Sequence, residues 1–161
     1  MILSHTIASP IGLLSMQEEN GFITGLSLQK ETSVTDSPVS LCPGTGPETE
    51  LLKRTRDQLE QYFAGQRTHF ALPVLYRGTP FYHRVWDVLC TIPYGQTRSY
   101  QEIAALTGSP KAVRAVGQAN HSNPLLILVP CHRVIHKNGD IRGYACGDTV
   151  KQFLLKLEGA L

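Results

Sequence analysis

The chain changes its residue pattern at Gly78-Thr79-Pro80, and this change constrains the fold more than any other feature. Before this point short apolar runs alternate with turn residues, and Asn20-Gly21 separates two runs as in a tight β-hairpin, where both residues adopt positive φ. After it, apolar residues recur at helical spacing behind residues that cap helices. We therefore predict an α/β domain with an antiparallel sheet and a helix at residues 1–77, followed by a mostly α-helical domain at residues 78–161.

The first domain is predicted to hold strands up to residue 30, a loop at residues 31–47, a helix at residues 48–64 and a further strand at residues 68–75. The loop is rich in Ser, Thr, Pro and Gly, whereas the helix places leucine and aromatic residues on one face. Gly65 follows the helix, at a position where glycine commonly ends helices.

Helix-start signals dominate the second domain. Thr79 and Pro80 form an N-cap followed by a first-turn proline, and Ser99 with Glu102 forms a capping box. Ser109 is predicted to cap the following helix. Two short helices separated by a tight glycine turn are typical of a helix-turn-helix, although many such pairs never contact DNA.

Composition narrows the class of protein without identifying a partner. The 161 residues carry a formal net charge of +2, which permits nucleic-acid binding through a local basic patch but does not require it. No apolar run is long enough to cross a bilayer, and residues 1–10 do not resemble a secretory signal peptide. We therefore expect a cytoplasmic protein.

The cysteines show no pattern of a metal site or a disulfide framework. They lack a Cys-x-x-Cys pair and any Cys/His cluster with zinc-finger spacing, and they are Cys42, Cys90, Cys131 and Cys146. We therefore predict no metal and no cofactor.

Cys131 has the most distinctive context of the four. It follows an apolar run at residues 125–129, which we expect to be strand-like, and Pro130, whose ring stiffens the backbone. A neighbouring His132 or Arg133 is expected to lower the thiol pKa from about 8.5 and so to favour the reactive thiolate. A buried structural cysteine beside a surface histidine is the alternative, and these residues alone leave both open.

Three further residues carry weaker signals. Arg114 lies on a predicted helix with Ala115 and Ala119 beside it, and such a slim face suits close approach to a DNA groove, although a solvated face has the same pattern. The Tyr100 phenol is able to donate a hydrogen bond to a ligand, although tyrosines often only pack. Glu158 lies at the C-terminal end of the last helix, where the helix dipole disfavours a carboxylate unless a partner compensates.

Together these residues form an ordered set of motifs: Ile92-Pro93-Tyr94-Gly95, Ser99-Tyr100, Arg114-Ala115-Val116-Gly117, Asn123-Pro124, Pro130-Cys131-His132-Arg133-Val134 and Leu157-Glu158-Gly159. Because these motifs occur in this order, the chain resembles the methylated-DNA–protein-cysteine methyltransferases, also called O6-alkylguanine-DNA alkyltransferases. The similarity is dense from Gly78 to Gly159 and loose before it. The resemblance implies an N-terminal α/β domain and a C-terminal helical domain for DNA binding and alkyl transfer.

The resemblance also implies roles for the reactive residues. Cys131 corresponds to the alkyl acceptor, and His132 to the histidine that draws the thiol proton through a water. Glu158 corresponds to the carboxylate that orients this histidine, which is the nucleophile–base–orienter arrangement of covalent catalysis. Asn123 corresponds to an asparagine that braces the turn, and Tyr100 to the tyrosine that aids extrusion and donates toward guanine N3.

DNA and substrate contacts are implied in the same way. Arg114 corresponds to a finger that fills the gap left by a flipped guanine, and the other residues predicted to contact DNA are Gln101, Ala112, Ala115 and Gly117. The predicted substrate pocket contains Val134, Tyr144, Ala145 and Cys146, with backbone groups of Val134 and Ala145 reading the guanine edge. Cys146 stands where the family usually has glycine, and its side chain is expected to narrow the pocket for bulky alkyl groups.

The implied activity is DNA repair by direct reversal. A monomer would bind the minor groove of double-stranded DNA, flip the nucleotide and move the alkyl group of O6-alkylguanine, or of O4-alkylthymine, irreversibly to Cys131. Two alternatives remain at this stage. One is a module that binds alkylated bases without transfer and recruits other repair factors. The other is an unrelated cysteine hydrolase with an oxyanion hole and repeated turnover.

Overall fold

A computed structural model describes residues 1–29 and 46–161. The chain folds into two compact units, Met1–Tyr76 and Arg77–Leu161. Most of the predicted loop at residues 31–47, including Cys42, lies outside the described residues. The predicted fold class is confirmed, because a sheet with a helix is followed by a unit built mainly of helices.

The first unit contains an antiparallel sheet in the order β1-β2-β3. Its strands are β1 (Ile2–Ser9), β2 (Gly12–Glu19) and β3 (Phe22–Leu28). Asn20 and Gly21 connect β2 to β3 with φ angles of 52° and 82°, which confirms the predicted hairpin turn.

Helix α1 (Glu50–Phe63) begins two residues later than predicted, because Thr49 rather than the preceding segment forms its cap. The Thr49 hydroxyl accepts a hydrogen bond from the Leu52 backbone at 3.1 Å. The helix buries one face, including Leu59 and Tyr62, and the apolar side chains of the sheet complete the core of this unit. Burial of this apolar surface is the main source of its stability.

The predicted strand at residues 68–75 is wrong. Only one bridge forms there, between Ile23 and Val74, with the Ile23 amide donating to Pro73 O at 2.8 Å. The side chain of Gln58 takes the place of a partner strand: it accepts from the Ala71 amide at 2.9 Å and donates to the Ala71 carbonyl at 3.2 Å. A side chain of α1 therefore satisfies backbone groups that the sequence pattern assigned to a sheet.

The second unit is built from four helices around Trp86, which is 1% exposed and donates to Ala119 O at 2.9 Å. Its elements are α2 (Pro80–Leu89), β4 (Arg98–Ser99), α3 (Tyr100–Leu106), α4 (Val113–His121), a 3-10 turn (Cys131–Arg133), β5 (Val134–Ile135) and α5 (Asp148–Leu157). Strands β4 and β5 form a short parallel pair. None of the described helices is long and apolar enough to cross a membrane.

Two of the three predicted helix caps in this unit are confirmed. Thr79 caps α2, and Ser99 and Glu102 form the complete capping box of α3. The predicted cap at Ser109 is wrong, because α4 begins at Val113 without a side-chain cap. The Ser109 carbonyl instead accepts from the Ala112 amide at 2.9 Å, which closes a separate turn ahead of the helix.

The two serines provide a test of this helix-turn-helix geometry. We expect Ser99→Ala to lower the free energy of unfolding by about 1 kcal/mol, because it removes the acceptor for the Glu102 amide. Ser109→Ala should change it by less than about 0.5 kcal/mol, since no helix amide depends on that hydroxyl. Urea denaturation of both variants measures the difference, and equal losses would contradict the assigned caps.

Candidate active site

The segment before Cys131 is a tight turn and not the expected strand. The Val129 amide donates to Leu125 O at 2.9 Å, and the Leu128 amide donates to Leu126 O at 2.8 Å. Ile127 adopts φ 71°, a conformation that β-branched residues strongly disfavour. Such a conformation persists only where the surroundings hold it in place.

Asn123 supplies that restraint. Its side-chain amide donates to Val129 O at 2.7 Å and to Leu125 O at 3.2 Å, and its carbonyl accepts from the Leu125 amide at 2.9 Å. The three bonds satisfy backbone groups on both sides of the turn. Asn123 therefore braces the turn that leads to Cys131, as the resemblance implied.

Cys131 is the first residue of the 3-10 turn and is 3% exposed. Its Sγ lies 3.4 Å from the hydroxyl of Tyr144, and its carbonyl accepts from the Asn120 side chain at 3.3 Å. Burial raises the pKa of the thiol, and hydrogen bonds from Tyr144 and Asn123 and the charge of Lys151 oppose this only in part. The expected lowering of the thiol pKa by His132 and Arg133 is not found, because both side chains are engaged elsewhere.

His132 and Arg133 both bind Glu158. His132 Nε2 donates to Glu158 Oε2 at 2.7 Å, while Arg133 donates from Nε to Oε1 at 2.8 Å and from Nη2 to Oε2 at 3.0 Å. The Arg133 contact is bidentate, which is a strong geometry for a carboxylate. Glu158 thus finds at the end of α5 the partners that its unfavourable position required.

These bonds set the protonation of the imidazole. A carboxylate only accepts hydrogen bonds, so the proton lies on Nε2 of His132 and the lone pair on Nδ1. Burial lowers the pKa of His132, with Glu158 acting in the opposite direction. Among the residues that the structure describes, Nδ1 is buried and has no hydrogen-bond partner. His132 is therefore a neutral base with an unused acceptor atom.

The Ile92-Pro93-Tyr94-Gly95 motif holds this arrangement from the other side. Arg133 Nη1 donates to Ile92 O at 2.7 Å, and its guanidinium lies 5.8 Å from the centre of the Tyr94 ring. Gly95 adopts φ 80°, and a side chain there would come within 3.0 Å of Glu158 O. The turn therefore requires glycine to pack against the end of α5.

Tyr100 is half-buried at the start of α3. The β4–β5 pairing places it beside His136, with ring centres 5.1 Å apart. Burial raises the pKa of Tyr100, and negative charge on Cys131 raises it further. Tyr100 therefore keeps its proton at neutral pH and lies within electrostatic reach of the sulfur.

Tyr100 also lines a cavity of about 830 Å³, within the range of roughly 300–1,000 Å³ that is typical of small-molecule sites. The cavity is bounded by α3, α4 and the segment after β5, and it includes the predicted contacts Gln101, Arg114 and Gly117. Ala112 and Ala115 are half-buried on the same pair of elements but do not line it. Cys131 does not line it either, and Tyr100 is a lining residue whose pKa responds to charge on Cys131.

The predicted pocket residues have different environments. Tyr144 is buried against Cys131, whereas Ala145 is exposed and Cys146 is half-buried in the same loop. The carbonyl of Val134 accepts from Lys151 Nζ at 2.5 Å, and a carbonyl oxygen retains a second lone pair for another donor. The effect of Cys146 on bulky alkyl groups remains a prediction.

Sequence reasoning missed two residues of this site. Lys151 is fully buried, and its position three and four residues before Leu154 and Leu155 places it on the apolar face of α5. Asn120 likewise shares the buried face of α4 with Val116. A polar residue at a core position was the available signal in both cases.

Charge is distributed unequally between the two units. Residues 77–161 contain ten Lys and Arg against five Asp and Glu, whereas residues 1–76 contain five against eight. The second unit therefore carries the positive charge that a nucleic-acid partner requires. Within residues 1–29 and 46–161 no group of three His, Cys, Asp or Glu side chains is placed to hold a metal ion.

Two family models divide the chain between them. Residues 80–160 match the DNA binding domain of 6-O-methylguanine DNA methyltransferase, and residues 2–76 match the ribonuclease-like domain of the same protein. The chain therefore belongs to the family of methylated-DNA–protein-cysteine methyltransferases, which confirms the resemblance stated above.

Relatives of known name cover nearly the whole chain. The constitutive methylated-DNA–protein-cysteine methyltransferase of Bacillus subtilis is 50% identical over 154 residues, which cover 95% of this chain and 93% of the relative. The crystal structure of the Mycobacterium tuberculosis O6-methylguanine methyltransferase has a TM-score of 0.86 and 44% identity, covering 99% of this chain and 94% of that one. The same M. tuberculosis protein in complex with DNA has a TM-score of 0.83 with 44% identity, over 98% of this chain and 92% of that one.

Glu158 is the residue on which the buried charges depend. We expect Glu158→Gln to lower the free energy of unfolding by about 3–5 kcal/mol, because it leaves the buried Arg133 cation without a counter-charge. The matched control is Glu48→Gln, which removes an exposed pair with Arg56 and should cost less than about 1 kcal/mol. Urea denaturation compares the two, and a loss at Glu158 as small as that at Glu48 would contradict this assignment.

Proposed function

We propose that this protein transfers an alkyl group from O6 of guanine in DNA to Sγ of Cys131, once and irreversibly. The observation that supports the proposal most strongly is the tautomer of His132, which has its proton on Nε2. Glu158 holds the proton of His132 on Nε2, and the buried Nδ1 of this residue, which follows Cys131 in the chain, is left as an acceptor. The names of the relatives, which are methylated-DNA–protein-cysteine methyltransferases, point to the same chemistry.

The proposed transfer begins with a neutral pair. Because burial raises the pKa of Cys131 and lowers the pKa of His132, the resting site holds a thiol and an uncharged imidazole. The thiol proton passes through a water to Nδ1, and Glu158 stabilises the imidazolium that forms. Cys131 therefore becomes a thiolate when the substrate is in place.

The thiolate then displaces the base at the alkyl carbon. A carbon–sulfur bond forms, the bond between carbon and O6 breaks, and the electron pair moves into the guanine ring. Tyr100 donates a proton toward N3 of the departing guanine, and the proton first taken from the thiol replaces it. The product is a thioether, which is a poor leaving group, so each molecule acts once.

A base within a duplex does not reach a buried sulfur. We therefore propose that the nucleotide leaves the base stack, which costs a few kcal/mol and less for a damaged base. The exposed Arg114 lies on α4 at the cavity and fills the vacated space. Gln101, Ala112, Ala115 and Gly117 lie along the surface that faces the minor groove.

The same displacement applies to O4-alkylthymine, whose alkyl group is also carried by an exocyclic ring oxygen. We further propose that residues 78–161 form the DNA-binding and transfer domain, that the protein acts as a monomer on double-stranded DNA, and that backbone groups of Val134 and Ala145 read the guanine edge. Cys146 would then limit the size of the alkyl group. Two rival functions predict different results. A binding module would gain no mass, and a cysteine hydrolase would turn over repeatedly.

Mass measurement on duplex DNA that contains O6-methylguanine distinguishes the three functions. We expect one methyl group on the peptide that contains Cys131, with unmodified guanine left in the DNA. Cys131→Ala should abolish transfer and keep DNA binding, whereas Cys90→Ala removes an exposed thiol and should leave transfer unchanged. Binding without added mass would favour the module, and repeated turnover would favour the hydrolase.

Replacement of Arg114 distinguishes extrusion of the nucleotide from the alkyl transfer itself. We expect Arg114→Ala to slow transfer from duplex DNA by about tenfold to a hundredfold, because the lost stabilisation of the extruded state is worth about 1.4–2.8 kcal/mol. Reaction with free O6-benzylguanine should hardly change. Lys111→Ala removes an exposed positive charge near the start of α4 and serves as the charge-matched control. If both variants slow transfer from duplex DNA equally, or if Arg114→Ala slows reaction with the free base by the same factor, Arg114 does not act as a finger.

A further inference from the structure

Lys151 is a buried charged group that the proposed transfer does not use. Its side chain is fully buried, and Nζ has one hydrogen-bond acceptor among the described residues, Val134 O at 2.5 Å. No described carboxylate lies within ion-pair distance of it, in contrast to Arg133. A buried ammonium with one carbonyl partner is costly, so the fold retains it against a substantial desolvation penalty.

Tyr144 lies close to both Lys151 and the sulfur of Cys131. Nζ lies 5.6 Å from the centre of the Tyr144 ring, and the Tyr144 hydroxyl lies 3.4 Å from Cys131 Sγ. A cation at the face of an aromatic ring is attracted to it, and the ring shields both from water. Burial raises the pKa of Cys131 and lowers the pKa of Lys151, and the attraction between the thiolate and the ammonium opposes both shifts.

We propose that Lys151 is a positioning residue that stabilises the thiolate of Cys131 through the buried space around Tyr144. In the resting thiol state no described carboxylate lies within ion-pair distance of the ammonium, and Asp140 and Asp148 act on it only from farther away. When the thiol loses its proton, the Tyr144 hydroxyl donates to the thiolate and Lys151 gains an opposite charge in a region of low dielectric constant. The arrangement therefore favours the reactive state of the sulfur without touching the substrate.

The other titratable groups around the sulfur do not replace this charge. His132 and Arg133 are both bound to Glu158, and Arg133 offsets the carboxylate. Tyr100 is neutral at physiological pH, because burial raises its pKa. The acidic neighbours of Lys151, Asp140 and Asp148, help to keep it protonated. Lys151 is thus the cation, among the described residues, whose charge acts on the thiol to lower its pKa.

The inference rests on the proposed role of Cys131 but is tested without DNA. Alkylation of Cys131 by iodoacetamide is followed by peptide mass as a function of pH, so that the other cysteines do not interfere. In Lys151→Met, which keeps the apolar stem, the midpoint should rise by about one pH unit, equivalent to about a tenfold slower reaction at pH 7. Above both midpoints the two proteins should react equally. Lys151→Arg should restore most of the difference, since it keeps the positive charge.

The outcomes separate electrostatic support from mere packing. A slower reaction by the same factor at every pH, or an unchanged midpoint, would overturn the proposal. If DNA repair is absent but the midpoint shifts, the inference stands and the proposed function falls.

A second measurement covers the case in which Lys151→Met fails to fold. By linkage, loss of the thiolate must lower the pKa of Lys151. NMR titration of the lysine Cε resonance should therefore give a lower midpoint for Lys151 in Cys131→Ala than in the unmodified chain. Equal midpoints would overturn the proposal.

Discussion

The candidate active site depends on one carboxylate that accepts hydrogen bonds from two neighbouring side chains. Glu158 accepts from His132 and, in bidentate fashion, from Arg133, and all three side chains are buried. Arg133 balances the negative charge, so Glu158 orients the imidazole without taking its proton. Without that balance, a carboxylate at the C-terminal end of α5 would oppose the helix dipole. The tautomer of His132 follows from this single arrangement.

Backbone features deliver the remaining groups to this centre. The turn braced by Asn123 sets the direction in which Cys131 leaves the chain, at the cost of a positive φ at Ile127. The short β4–β5 pair sets Tyr100 beside His136, and α5 brings both Lys151 and Glu158 to the same region. Residues far apart in sequence therefore meet through only a few short elements.

Local signals were readable from the sequence, and signals that depend on distant partners were not. The Asn20-Gly21 turn and the Ser99–Glu102 capping box are complete within four residues, so their chemistry is visible in the chain itself. The expected strands at residues 68–75 and 125–129 failed because side chains of Gln58 and Asn123 satisfy the backbone there. The proximity of His132 to Glu158 was expected from motif order and is observed, whereas the catalytic roles of both residues and of Cys131 stay predictions. The roles of Arg133 and Lys151 were not predicted, because burial of a cation depends on tertiary packing.

The shielding of Cys131 has a consequence for the lifetime of a reagent that works once. Peroxides and soluble electrophiles in the cell attack exposed thiolates, whereas this sulfur is enclosed and protonated at rest. Cys90 is exposed and Cys146 is half-buried, so soluble oxidants reach these two thiols more readily than Cys131. Under the proposed function, enclosure of Cys131 would slow competing reactions of a thiol that is used only once.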